Sequence, residues 1–398
     1  MKALYFENDL LRIMALKATS KLNRLAALGP LSPLRYEEVP EPSLPNERWV
    51  KVRNLACGLC GTDIHFMFME MDPKSFPAAL PGIKKKYLGH ELVGRVVEAG
   101  TESGFVVGNR VVMRLDWPSC AQLEIERPCR QCAEGNYMIC ENLGIGRLPD
   151  GAVGGGFSPF MVMHRSQPCL VPDALSDDQA LLLEPTACAV HGVGKASFKA
   201  GDKVLVIGGG TIGLLTASVI GHRHPEVTVH CLVRYPYQAE AASKVGARAI
   251  LSGKGNYQTV ASATAGRALR GYFGNEIILG GYDTIFDTVG NDASLHDALR
   301  WVRGRGRVVL MGINFMPGKV DYTTIWNQEI ELSGINCHAT ESDGRNSFEH
   351  AAEILQAGRL DPSLILTHRL PMSRWKEAVK LFLNKGASKA TKIVLEHP

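Results

Sequence analysis

Between Lys203 and about Cys337 the chain alternates short β-branched runs with stretches of helical periodicity. Val204-Leu205-Val206-Ile207 reads as a buried parallel strand, and the apolar stretch Leu214 to Ile220 beyond a glycine cluster reads as a helix packed on it. Val227 to Val233 repeats the strand pattern, and Ala239 to Val245 and Ser294 to Trp301 repeat the helical one. Such alternation predicts a doubly wound parallel sheet. Residues 1 to about 186 are patterned differently. Runs such as Trp49 to Arg53 and Leu92 to Glu98 are short, β-rich and separated by Gly and Pro clusters, which predicts a β-dominated first domain. Near the end, Phe348 to Leu355 and Trp375 to Leu383 are amphipathic, and Thr391 to Leu395 is strand-like.

The chain has 398 residues, enough for two or three domains with ample core. Hydrophobic residues make up 45% and charged residues 21%, ordinary globular values that suggest neither disorder nor a membrane protein. No apolar run approaches the roughly 18 residues of a membrane span. The opening stretch Met1 to Asp9 carries acids before a signal-peptide core could form, so the cytoplasm is the expected location and no membrane partner is expected. A net charge of +4 and the short run Lys84-Lys85-Lys86 give no electrostatic footprint for nucleic acid. Ten cysteines in a chain this long, several of them in metal-like clusters, are expected to be reduced thiols.

Two motifs carry chemistry. Cys60-Gly61-Thr62-Asp63-Ile64-His65, followed after a loop by Gly89-His90-Glu91, places soft and borderline metal ligands around a hydroxyl. A zinc that does chemistry needs about three protein ligands and one open position, which Cys60, His90 and a carboxylate would supply. The second motif is Gly208-Gly209-Gly210-Thr211-Ile212-Gly213 at the end of a predicted strand, a dinucleotide fingerprint. Gly208 suits the tight turn, Gly210 the approach of a pyrophosphate, and Gly213 close helix packing, while the helix N-terminus at Thr211 and Ile212 faces the phosphate charge.

With these motifs, Gly108 to Val112, Gly155-Gly156-Phe157, Leu183-Glu184-Pro185, Phe286 to Gly290 and Gly306 to Gly312 stand in an order that resembles the zinc-containing medium-chain dehydrogenase/reductase family. The resemblance implies a GroES-like, β-rich catalytic domain (1–186 and 338–398) and a Rossmann cofactor domain (187–337). It implies Cys60 and His90 as zinc ligands, with the remaining positions shared among Glu91, Glu184 and water, and Cys188 as a lesser rival. A glutamate at 184 tilts the reading towards the polyol and sugar dehydrogenases. Asp63 would orient His90, while Thr62 and His65 would carry the alcohol proton towards solvent. Val289 and Gly312 would join the cofactor site.

The implied activity is hydride transfer between a nicotinamide cofactor and a secondary alcohol, polyol or sugar, or the matching ketone or aldehyde. The alternatives are transient oxidation without net redox on the same scaffold and, distantly, a zinc-knuckle nucleic-acid module. Homodimers and homotetramers are both common in the family, with Gln328 to Gly334 as the expected joining strand. By the same resemblance Cys129, Cys132 and Cys140 form the tail of a four-cysteine structural zinc lobe. The family's first cysteine position falls on Glu126, and the other nearby thiol is Cys120, so either could be the fourth ligand. Two segments depart from the family: 16–34 looks inserted, and His65 to Met71 is an apolar stretch suited to line a pocket.

Cofactor choice rests on an absence. NAD-binding folds of this class place an acid about 20 residues past the glycines to hold the ribose hydroxyls. Here that position is Val233, followed by Arg234 and Tyr235. A guanidinium suits a 2′-phosphate and Tyr235 could stack near the adenine, so NADP is expected over NAD.

Overall fold

The computed structural model describes residues 1–20, 22–79, 84–115, 118–146, 148, 154–316 and 318–398. It contains two compact units, Met1–Glu184 with Leu366–Pro398, and Pro185–Ile365. The chain thus returns to the first unit at residue 366, and the helix Ser347–Gln356 falls within the second. Its start is tied there: Glu341 accepts from the hydroxyl of Ser347 at 2.5 Å and lies 3.2 Å from His191.

In the second unit six parallel strands form one sheet. Their order is Arg248–Leu251, Thr228–Val233, Lys203–Ile207, Tyr282–Asp287, Val302–Leu310 and Glu331–Gly334. Read by position in the chain this is 3-2-1-4-5-6, the doubly wound dinucleotide-binding order. The β-branched runs follow from the topology, because strands covered on both faces must be apolar throughout. Val204, Leu205 and Val206 are wholly buried. Helices at Pro236–Lys244 and Asp292–Trp301 match the expected periodic segments to within a few residues.

In the first unit a mixed sheet runs Leu366–Pro371, Lys392–Glu396, Trp49–Gly58, Glu91–Ala99, Arg110–Met113 and Pro168–Leu170, with Phe160–His164 also paired to Trp49–Gly58. A three-stranded sheet places Lys2–Glu7 between Leu34–Glu38 and Lys85–Tyr87. The segment expected to be inserted, 16–34, takes in the end of the helix Leu10–Ser20 and a 3₁₀ turn at Arg24–Leu28; Lys21 lies outside the described residues. Leu16, Ala27 and Leu28 from this segment join a core that also contains Met67 and Phe68. Those two residues therefore pack inward, and the stretch from His65 to Met71 is in large part ordinary core.

Candidate metal and cofactor sites

Cys60 stands at the start of the short helix Gly61–Met67, immediately after a buried turn leaving the strand Trp49–Gly58. His90 and Glu91 enter from the start of the strand Glu91–Ala99, and the register Gly58↔Glu91 brings the two segments side by side. The ligand atoms of Cys60, His90 and Glu91 lie within 4.8 Å of one another. A thiol, an imidazole and a carboxylate at this spacing form a donor set that fits zinc. Thr62 Oγ1 lies 3.6 Å from Cys60 Sγ.

Asp63 is buried and secures both entering segments, accepting from the backbone N–H of Cys60 at 3.0 Å and of Gly89 at 3.1 Å. Its carboxylate is 3.8 Å from His90 Nδ1, an electrostatic contact too long for a hydrogen bond. Burial pushes the Asp63 carboxyl up, against the pull of His90 and the two N–H donors. Burial pushes His90 down, but Cys60, Asp63 and Glu184 outweigh it and hold the imidazole well above its ordinary value. The same anionic surroundings favour a dication in place of that proton.

Glu184, 5% exposed in the first turn of the helix Leu183–Val193, lies outside the tight three-residue group yet acts electrostatically on His90. Glu91 is engaged elsewhere. Its carboxylate contacts the Nζ of Lys392, and both side chains are almost fully buried. His65 Nδ1 lies 2.9 Å from Glu70 Oε2.

In the second unit the strand Lys203–Ile207 runs through Gly208, at φ +113°, into the 13-residue helix Thr211–Arg223, with Gly210 as its cap. A Cβ on Gly213 would fall 1.8 Å from the Gly208 carbonyl oxygen, so the turn closes only with glycine there. No atom lies within 4 Å of where a Cβ on Gly210 would stand, leaving that backbone face open. The neighbouring strand end is braced by Asp287. Its carboxylate accepts from the N–H of Val289 and Gly290, both at 3.0 Å, and from the Ser294 hydroxyl at 2.8 Å. Its carbonyl accepts from Gly312 N–H at 2.9 Å. Arg234 is exposed at the end of Thr228–Val233, its guanidinium 5.6 Å from the Tyr235 ring, which stacks on Tyr237 at 5.7 Å.

Cys120, Cys129, Cys132 and Cys140 form a second group with all four sulfurs within 4.8 Å. Cys120 is thus the fourth member, whereas Glu126 is exposed and outside it. Backbone N–H groups of Cys132 and Glu141 point at Cys129 Sγ, at 3.5 and 3.4 Å. Against the effect of burial they hold that thiol down at about 7. Four thiols so arranged fit a closed tetrahedral zinc site.

Residues 46–173 match the family described as the alcohol dehydrogenase GroES-like domain, and residues 210–357 match the zinc-binding dehydrogenase family. The chain is 30% identical over 362 residues to the L-threonine 3-dehydrogenase of Escherichia fergusonii, covering 87% of this chain and 94% of that one. The chain belongs to the zinc-containing medium-chain dehydrogenase/reductase family. Sorbitol dehydrogenase of Bacillus subtilis is 26% identical over 353 residues, covering 87% of this chain and 90% of the relative. Among solved structures, 2R,3R-butanediol dehydrogenase from B. subtilis superposes with a TM-score of 0.72 at 23% identity, covering 99% of both chains. A protein described as a zinc-binding dehydrogenase from Sinorhizobium meliloti, solved with NADP bound, superposes at 0.67 with 26% identity over 91% of this chain and 95% of that one.

This dehydrogenase is accordingly an oxidoreductase of the zinc-dependent alcohol and polyol class, working with zinc and a nicotinamide cofactor on small molecules. Among its described residues no helix is long and apolar enough to cross a membrane. Sequence reasoning missed Lys392, Asp287 and Glu70. A lysine opening an otherwise apolar strand, as in Lys392-Ile393-Val394-Leu395, is the one signal that could have flagged the first. Asp287 stands inside the Phe286 to Gly290 motif but without an assigned role, and Glu70 carries no such mark, since the partners of both are set by the fold.

Proposed function

We propose that this dehydrogenase interconverts a secondary alcohol or polyol with its carbonyl form, holding zinc through Cys60, His90 and Glu184. The observation that carries the reading is the thiol of Cys60 and the imidazole of His90 brought together, with Thr62 beside the thiol. Glu91 is neutralised by Lys392, so the third protein position falls to Glu184, whose charge already acts on His90. When bound, zinc supplies Lewis acidity that polarises a carbonyl or lowers the pKa of an alcohol, and the nicotinamide takes or gives the hydride. Thr62 accepts the alcohol proton by hydrogen bond as its own hydroxyl proton leaves, and that proton would pass by way of the cofactor ribose and His65 towards solvent. Asp63 keeps Cys60 and His90 in register by holding the backbone of both segments. Metal analysis tests the site: Cys60→Ser and His90→Ala should each lose one equivalent of zinc and all turnover, and unchanged zinc and activity would refute the assignment.

For the cofactor the reading is NADP over NAD. Val233 packs against the glycine turn, since a Cβ on Gly209 would lie 2.7 Å from its Cγ1, and the next residue is Arg234 in place of an acid. Steady-state kinetics with both cofactors test it, and an Arg234→Ala variant with undiminished NADP affinity would overturn it. The reading extends to a homodimer or homotetramer joined at Glu331–Gly334, which is an edge strand with Leu332 exposed. Light scattering at the enzyme's working concentration decides that. The reading places the enzyme in the cytoplasm, where thiol clusters such as Cys120 to Cys140 stay reduced.

A further inference from the structure

The segment between the first two strands of the chain has a use that its apolar packing does not explain. Asn23 caps the 3₁₀ turn Arg24–Leu28 by accepting from Leu25 N–H at 2.9 Å, and Ala27 and Leu28 anchor the turn in the core beside Met67 and Phe68. The anchored turn presents Arg24 outward. Its guanidinium lies 5.2 Å from the Phe68 ring centre and donates to Glu70 Oε1 at 2.6 Å. The other oxygen of that carboxylate, Oε2, is 2.9 Å from His65 Nδ1. We propose that Arg24 is a positioning residue for proton transfer, fixing Glu70 so that Glu70 in turn sets the orientation of His65. The proposal rests on the reading that His65 passes the alcohol proton.

The chemistry follows from the order of charges. A carboxylate bonded to one ring nitrogen fixes the imidazole's orientation and favours its protonated form. A cation on the far side of that carboxylate weakens the second effect while preserving the first. Glu70 is accordingly held below the usual carboxylate range, chiefly by its bond to His65 and further by Arg24. Asp63, on the same helix, is committed to Cys60 and Gly89, and the cation of Lys86 lies 3.8 Å over the Phe66 ring. Removing Arg24 therefore frees the Glu70 carboxylate to swing, whereas removing the Glu70 charge takes away the ring's partner outright.

The test compares pH profiles of alcohol oxidation by wild type, Arg24→Ala, Arg24→Lys, Glu70→Gln and His65→Ala, alongside zinc content and melting temperature. Arg24→Ala should lower kcat about threefold to tenfold with little change in alcohol KM and displace the acid limb of the profile. Glu70→Gln should lower kcat at least as far, and Arg24→Lys should restore most of the rate. If Arg24→Ala loses only stability while its limb and kcat stay at wild-type values, the proposal falls. If His65→Ala itself keeps wild-type kcat and limb, the relay reading falls first and the proposal with it. A dead His65→Ala beside an unaffected Arg24→Ala refutes the proposal alone.

Discussion

Replacing Lys392 with methionine keeps much of the side chain's volume and removes its charge, leaving Glu91 alone. The lysine side chain is 5% exposed and the glutamate 2%, so solvent screening offers almost no discount. At an effective dielectric of about 20, an ion pair at roughly 4 Å is worth about 4 kcal/mol. Breaking one partner of a buried pair typically costs about 3–5 kcal/mol, because the remaining charge loses its compensation. For a unit of this size that corresponds to a fall in melting temperature on the order of 10 °C. Removing both charges, as in Glu91→Leu with Lys392→Met, should recover most of the loss. Thermal melts with zinc and with a chelator separate the pair's own contribution from metal loss. The sign with pH is also fixed. Lys392 is lowered by burial but raised more by Glu91, Cys60 and Glu184, to a net value above 10.5. Its contribution is therefore full below the unfolded value of 10.5 and is lost as pH rises through the folded one. A Lys392→Met variant melting within a degree or two of wild type, or a double variant as unstable as the two single losses added, would refute this reasoning.

Two further outcomes can be checked directly. Cys132→Ser should lower thermal stability and total zinc while leaving the residual folded enzyme active; lost turnover with stability and zinc intact would contradict a structural role for the lobe. Burial, helped by Arg165 and Arg48 and opposed by Glu124, pushes His164 down from 6.5 to about 4. Below 6.5 the unfolded chain binds a proton that the native imidazole refuses, so stability falls as pH drops from 6.5 towards 4, by on the order of 3 kcal/mol in all. A His164→Gln variant should flatten that slope in urea titrations, and an unchanged slope would rule His164 out as its source.

What sequence could reveal depended on whether the physics is local. The glycine turn from Gly208 to Gly213 and the strand before it are recognisable because steric limits act on neighbouring residues. Cys60 with Thr62 is a pattern within one turn of helix, and the order of family motifs joined it to His90. The position of Glu91 was harder. As a neighbour of His90 it looked equally suited to a metal, and only a strand far along the chain shows that it faces an ammonium group. Cys120 fell outside the regular cysteine spacing because a loop, whose length sequence periodicity does not constrain, carries it back to Cys140 at 3.7 Å. Arg24 lay in a stretch with no recognised pattern, since a turn that packs Ala27 and Leu28 needs no periodicity. The compact unit that begins at Pro185 takes in residues up to Ile365, and within it Glu341 meets His191, a contact between residues 150 apart that no local pattern reveals.

The span of 301 residues between Glu91 and Lys392 has a consequence for biosynthesis. At roughly 5–20 residues per second, a ribosome delivers the lysine about 15–60 seconds after the glutamate. Throughout that interval the nascent N-terminal sheet lacks the strand Lys392–Glu396 that pairs with Trp49–Gly58, and its buried carboxylate has no counter-ion. The second unit, continuous from Pro185 to Ile365, emerges whole before that strand exists. The intervening unit is therefore free to fold first, and the metal-binding region closes last, so chaperone demand during synthesis should concentrate on the first 184 residues.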